Sequence, residues 1–514
     1  MLALFALSAV NAAETLPVPA ESPAQPPAFS NAPPEIREFL LRAEIADKIS
    51  DPLARCLAFP DLPGNKWPAG LAKAHCDFMY GPRITLAKAT ELVARGATDE
   101  LDALFAADLA RHFSEDDFSE AIHRDFDDFS KTYAAGKFTK EWLEKAPNSA
   151  FALTARAVYY RSMANEARGR NWASETPREN MVRMREFFEL AIPLYQRALQ
   201  IESRLLPAHV GLIDIGMTHT AFADLKDKAI HAAKEVDPAC KSITGFQMVS
   251  LEPRWGGSYP EMQGLSEEIA PFVAKRPLLA LNTIWPVVDR ANMLYRDDEF
   301  DQVVAILTPI MEQTSHPSPY EYLGLSMLQA EKGSLWQALV YLLEASRFDE
   351  GRQYVNRRRG RLLLEIAQRP EWAQKYAKLA VEQDPDDLVA HYWLGMSYSS
   401  AGNWPLAEKE YRISAQDPGK RADSLSDLVT VLMKSGQLKQ AREQVDLLTT
   451  EFPAYALGWL VRHQVLATTR SEGSLEALQK FFDTVDRTDP RGRRIAEEVE
   501  RWMKDNRVQL PAKR

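Results

Sequence analysis

The sequence predicts an all-α protein, a helical-hairpin solenoid over its second half preceded by an irregular α-helical N-terminal half. Three observations carry that expectation. A small or apolar residue recurs at Val303, Ala338, Ala373, Ala407, Ala441 and Ala477, at intervals of 35, 35, 34, 34 and 36 residues. Four residues beyond each stand Leu307, Leu342, Ala377, Tyr411, Val445 and Phe481. Seven beyond stand Ile310, Ala345, Ala380, Ser414, Leu448 and Thr484, and these offsets share one helix face. The punctuation keeps the same period. Gly333, Gly402, Gly436 and Gly473 precede the helices, and Pro385, Pro418, Pro453 and Pro490 are expected to stop them, because proline cannot continue a helix.

In each unit a preceding helix carries large apolar residues at helical spacing, as Leu394, Gly395 and Tyr398 do in HYWLGMSY and Leu323 and Gly324 in YEYLGLSM. The glycine lets two helices approach and the aromatic ring fills the space beneath. Together these features resemble the tetratricopeptide repeat, most clearly in LVAHYWLGMSYSSAGNWPLAEKEYRISAQDP and in residues 423–453. About six hairpins are expected over residues 281–490, with a capping helix and tail over 491–514. The resemblance implies a superhelix whose concave groove is lined by the first helices and takes a protein or peptide partner. Residues on those helices away from the leucine-glycine face are the groove candidates: Glu321, Leu325, Arg358, Tyr392, Met396, Ser426 and Thr430. The run VNRRRGR, with Arg357, Arg358, Arg359 and Arg361, offers guanidinium forks for an anion. Consecutive helix residues point around the whole circumference, however, so a solvated face is the expectation.

Residues 98–280 are helical in pattern without a regular repeat. Apolar residues recur at three and four intervals in LDALFAADLARHF and MVRMREFFELAIPLYQRALQI. Ala191, Tyr195 and Ala198 reproduce the small, aromatic, small trio of the later repeats, and Pro238 ends a helix. NEARGRNWASETPREN reads as an insertion. WLEKAPNSAFALTARAVYYRSMANEARG and LEPRWGGSYPEM together resemble a bacterial family of uncharacterised function that is commonly joined to tetratricopeptide-like repeats, over about residues 100–290. That resemblance implies a helical scaffold and assigns no activity. Within it, Arg254, Trp255, Gly256 and Gly257 are read as a structural corner, Trp255 plugging the core and Arg254 reaching a buried acid; a ligand pocket is the alternative.

Carboxylates crowd one segment: Asp108, Glu115, Asp116, Asp117, Glu120, Asp125, Asp127 and Asp128, with His112 and His123. Such residues can bind metal or move protons. The H-E-x-x-H pattern and the glycine-centred calcium loop are both missing. On one straight helix the two histidines would stand about 16 Å apart. An acidic helix surface is therefore expected, with no metal and no cofactor. The signatures G-x-S-x-G, G-x-G-x-x-G and paired C-x-x-C are also absent, so the chain is expected not to be an enzyme. A metal-dependent or hydrolase-like enzyme in residues 100–260 is the alternative.

The net charge of −10 argues against nucleic-acid binding, which needs a basic surface. An apolar run over residues 2–10 followed by Ala12 and Ala13 has the pattern of a signal peptide, residues 1–13, although nothing basic precedes it. It is too short to span a bilayer. The expected location is periplasmic or secreted, or cytoplasmic if the run is not a signal. A proline-rich linker, 14–35, contributes reach and no fold. Residues 36–97 form a small helical and loop segment in which Cys56 and Cys76 bracket a turn-rich stretch. A bridge there is worth about 3 kcal/mol by loop entropy; two buried thiols are the other reading. Cys240 remains as a small core residue. The function expected is an exported repeat scaffold or adaptor, with a structural cell-envelope assembly factor as a further alternative.

Overall fold

A computed structural model describes residues 29–114, 120–169, 175–331 and 333–510. Residues 1–13, most of the linker, Glu115, Asp116, Asp117 and positions 170–174 of the insertion lie outside the described residues. Among the described residues there are 27 α-helices, several 3-10 turns and no strand. No described helix is long and apolar enough to cross a membrane. The chain divides into two compact units, Pro34–Ser334 with Arg347–Asp349, and Leu335–Ser346 with Glu350–Arg514 and Met1–Pro33.

In the unit built from Pro34–Ser334, helices start where a side chain can satisfy the first free amides. Thr132 accepts from Ala135 N and opens Tyr133–Lys145, and Ser149 accepts from Ala152 N and opens Ala150–Arg168. Their apolar faces close on an aromatic core. Trp142 is fully buried with its ring 5.5 Å from Phe105, 5.6 Å from Phe138 and 6.0 Å from Phe129. The trio Ala191, Tyr195 and Ala198 is buried on Arg178–Ile201, which packs against Leu206–Thr218. The contact depends on a missing side chain: a Cβ at Gly211 would lie 2.2 Å from Tyr195 Cζ. Gly211→Ala is therefore expected to cost about 1–3 kcal/mol by overpacking, read from the denaturant midpoint. A midpoint unchanged within about 0.5 kcal/mol would show that the two helices separate without cost.

Cys56 and Cys76 are joined by a disulfide, with their Cα atoms 5.7 Å apart. The bond lies against Phe348, on which His75 stacks at 4.0 Å between ring centroids. Arg347 ties the same region together, donating to Cys56 O at 3.0 Å and to Asp61 Oδ1 at 2.9 Å.

The other unit contains successive hairpins: Gln353–Glu365 with Pro370–Gln383, Leu388–Ser400 with Trp404–Ser414, Arg421–Lys434 with Leu438–Glu451, and Ala456–Thr468 with Ser474–Thr484. Pro490–Asp505 follows. The repeating column is its core, since Ala373, Ala407, Ala441 and Ala477 are buried together with Ala377, Tyr411, Val445 and Phe481. Gly395 admits Tyr411, because a Cβ there would stand 3.0 Å from the ring. The turns at Gly402 and Gly436 have φ of 75° and 76°, which glycine adopts without a side-chain clash. Pro385, Pro418 and Pro453 each lie just beyond a helix end. Pro490 does the opposite. It opens the last helix, capped by Asp489, which accepts from Gly492 N at 2.7 Å, a position where the missing N–H is no loss.

Successive first helices pack on one another, 353–365 on 388–400, 388–400 on 421–434, and 421–434 on 456–468, whereas second helices do so less. The stack is therefore tighter on its first-helix side. The arginine run does not form the solvated face its spacing suggested. Arg359 is fully buried over the Tyr376 ring at 3.6 Å and bonded to Asn356, Arg357 pairs with Asp387 at 2.6 Å, and Arg358 donates to Tyr354 Oη. The run lies on a first helix held between neighbours, where stacking and ion pairs compensate its charge.

Candidate functional site

The acidic segment is in part folded inward: Asp108, His112, Glu120 and Asp125 are buried, whereas Asp127 stays exposed. Thr98–His112 ends at Phe113, and the chain returns through Glu120, which has φ of 50°, into the short helix Ala121–Arg124. The return places the His112 and His123 rings 5.9 Å apart, against about 16 Å on one straight helix. Two further residues come from the end of Ala223–Val236 and the start of Lys241–Ser250, namely Asp237 and Cys240. His112, Glu120, Asp237 and Cys240 are buried, and the His123 side chain nearly so.

His112 Nε2 meets Asp237 Oδ2 at 2.8 Å, and Ala239 N donates to Asp237 Oδ1 at 2.9 Å. Cys240 Sγ lies 3.4 Å from His123 Nε2 and 3.7 Å from Glu120 Oε2. Glu120 also accepts from Lys241 N, Ser242 N and Ser242 Oγ, the last at 2.8 Å, so its carboxylate caps Lys241–Ser250. His112 Nδ1 is buried without a hydrogen-bond partner.

Burial sets the electrostatics. It pushes the Cys240 thiol far up, with the Glu120 and Asp237 carboxylates adding to the effect. It also holds His123 down to about 4, against the attraction of Glu120. For Glu120, burial works upward, but His123, His112 and Lys241 outweigh it and leave the carboxyl below its ordinary range. Nearby, burial raises Asp125 to about 8 and Asp108 adds to it, although Ile84 N donates to its carboxylate. A thiol that resists ionisation in a closed core is not an activated nucleophile. The groups do include nitrogen, sulfur and oxygen donors suited to a metal ion.

At the corner, Arg254 pairs with Asp289 at 2.6 Å and with Glu252, both buried. Glu252 accepts from Trp285 Nε1 at 2.9 Å; burial raises it to about 6 against that bond and the Arg254 charge. Gly256 has φ of 92°, and a Cβ on Gly257 would strike Leu251 O at 2.2 Å. Trp255 does not plug the core: it is 40% exposed, on the 3-10 turn Pro253–Trp255, none of whose residues is buried.

Of the groove residues named from sequence, Leu325, Tyr392 and Ser426 are buried, while Glu321, Arg358, Met396 and Thr430 are half-buried. Tyr392 packs on Trp393 and Tyr411 and donates to Asp427 Oδ2 at 3.1 Å. Two carboxylates that sequence reasoning missed, Asp423 and Asp427, stand one helical turn apart on Arg421–Lys434. Tyr455 donates to Asp423 at 2.9 Å and Lys420 pairs with it at 3.0 Å. Burial raises Asp427 to about 7, Tyr392 opposing and Asp423 adding. The spacing of four between Asp423 and Asp427 was the available signal.

Comparison with known proteins adds little chemistry. Residues 85–222 match the family model described as a domain of unknown function (DUF4034). LEPRWGGSYPEM, residues 251–262, falls outside the matched stretch. No curated protein matches the chain. Among solved structures it is similar to YrrB, described as a TPR protein with an unusual peptide-binding site, at 19% identity over 34% of this chain and 90% of that one, TM-score 0.31. It is also similar to the TPR domain of P58(IPK), at 10% identity over 73% of this chain and 94% of that one, TM-score 0.24. The chain is an all-α, tetratricopeptide-like hairpin protein. That statement rests on its own helices and buried column.

Proposed function

We propose that the chain is an exported repeat scaffold that binds a protein or peptide on the first-helix side of its 353–484 hairpins. The carrying observation is the pair Asp423 and Asp427 beneath Tyr392 and Tyr455 on the tighter side of the stack. Met396 and Thr430 are half-buried on the same helices, and Arg358 on the preceding first helix. Two adjacent carboxylates favour a partner that presents a lysine or arginine, whose charge compensates theirs. Export is supported by the apolar run over residues 2–10 and by the Cys56 to Cys76 bond, since disulfides persist in oxidising compartments.

Selection from a peptide-display library on the oxidised full chain tests this reading. Basic peptides are expected to be enriched. Their binding should strengthen as pH rises through about 7, where Asp427 loses its proton and gains the charge that attracts a cation. Asp427→Asn should remove the pH step and weaken binding about tenfold or more. Selected peptides that bind wild type and the Asp427→Asn, Met396→Ala double variant equally would refute the assignment.

A further inference from the structure

The buried cluster around Cys240 contains one thiol sulfur, two imidazoles and two carboxylates drawn from three separate stretches of chain. Two overlapping sets of donor atoms lie within 4.8 Å of one another, His112, Asp237 and Cys240, and Glu120, His123 and Cys240. Cys240 belongs to both. Ligands around one tetrahedral zinc, at about 2.3 Å for sulfur and 2.0–2.1 Å for nitrogen, stand roughly 3.3–3.7 Å from each other. The Cys240 to His123 distance of 3.4 Å and the Cys240 to Glu120 distance of 3.7 Å fall in that range, and the third edge, His123 to Glu120, is 4.0 Å.

Hydrogen bonds hold both carboxylates, Glu120 by Lys241 N and Ser242 and Asp237 by His112 and Ala239 N, but they leave one donor atom of the cluster over. Glu120 and Asp237 are both buried, each with an oxygen within 4.8 Å of the Cys240 sulfur, and His112 Nδ1 is buried with no partner. Adjacent buried anions are costly unless a cation stands among them. Lys241 supplies one charge, directed over the Phe78 ring at 4.3 Å. The hydrogen bond between Asp237 and His112 is the kind of contact that orients a histidine ligand and fixes its tautomer. Mixed sulfur and imidazole donors select zinc over the hard cations magnesium and calcium.

We propose that this cluster is a structural zinc site with Cys240, His123, Glu120 and His112 as its ligands and Asp237 holding the His112 ring. The ion would join the end of Thr98–His112, the short helix Ala121–Arg124 and the turn between Ala223–Val236 and Lys241–Ser250. The donors are closed off from solvent, which suits a structural ion rather than one that binds substrate. The inference is independent of the peptide-binding reading, which concerns other helices.

The test uses the full chain with its disulfide intact. The protein is unfolded with a chelator, freed of metal and refolded with cobalt(II), a spectroscopic stand-in for zinc. One cobalt per chain is expected, with a thiolate-to-cobalt charge-transfer band that one equivalent of zinc removes. With Cys56 and Cys76 bonded, only Cys240 can supply that thiolate. Cys240→Ala should abolish the band, and Asp237→Asn should weaken zinc binding about 10–100-fold. Absence of the band in wild type overturns the proposal even if no variant folds, and so does metal binding that Cys240→Ala leaves unchanged.

Discussion

Replacing Trp142 by alanine is expected to lower the stability of the Pro34–Ser334 unit by about 3–5 kcal/mol, the usual cost of deleting a fully buried aromatic side chain. Its indole is enclosed by Phe105, Phe129 and Phe138 on three separate elements, so no single helix can shift inward to fill the void. Against a typical total of 5–15 kcal/mol, such a loss should lower Tm by on the order of 10 °C. Thermal unfolding followed by near-ultraviolet circular dichroism reads it directly. Trp255→Ala is the control: that ring is 40% exposed, and its loss should stay within about 0.5 kcal/mol. Equal shifts in the two variants would contradict the aromatic core.

The second large effect concerns the Cys56 to Cys76 bond. It closes a sequence separation of 20 residues, and a loop of that size restricts the unfolded chain by about 3 kcal/mol. The Cys56→Ser, Cys76→Ser double variant should lose that much, read as a lower denaturant midpoint with a slope equal to or steeper than that of the wild type, since the released unfolded chain exposes more surface. Reducing agent should move wild type to the same midpoint and leave the variant where it was. If reduction shifts both proteins equally, the bridge is not the cause. The stretch it spans lacks a regular apolar period of its own, and Phe348 covers the sulfurs.

The hairpins were legible because their signal is periodic. A small residue every 34 to 36 positions, with partners four and seven beyond, has one physical cause, a buried helix face that meets the same neighbour in each repeat. The buried inner column shows that cause at work, and Tyr195 with Gly211 extends it into the irregular half. Pro490 was misread because proline is equally compatible with the position before a helix and with its first residue. The zinc cluster was hidden for a different reason. His112 and His123 look like points on one acidic helix until the chain breaks at Phe113, and Cys240 is more than a hundred residues away. Arg359 and Trp255 reversed their expected exposures because burial depends on neighbours that sequence spacing does not specify: Tyr376 covers the arginine, and the turn Pro253–Trp255 buries none of its residues.

Cys240 has a further use that its surroundings create. It is the one cysteine outside the disulfide, and it is fully buried. A thiol reagent can therefore reach it only in molecules whose packing around Lys241–Ser250 has come open. When opening and closing are fast, the labelling rate is the intrinsic rate multiplied by the open fraction, so each 1.4 kcal/mol of opening free energy slows it about tenfold. The native chain thus carries its own clock for local opening, readable by mass without any introduced probe.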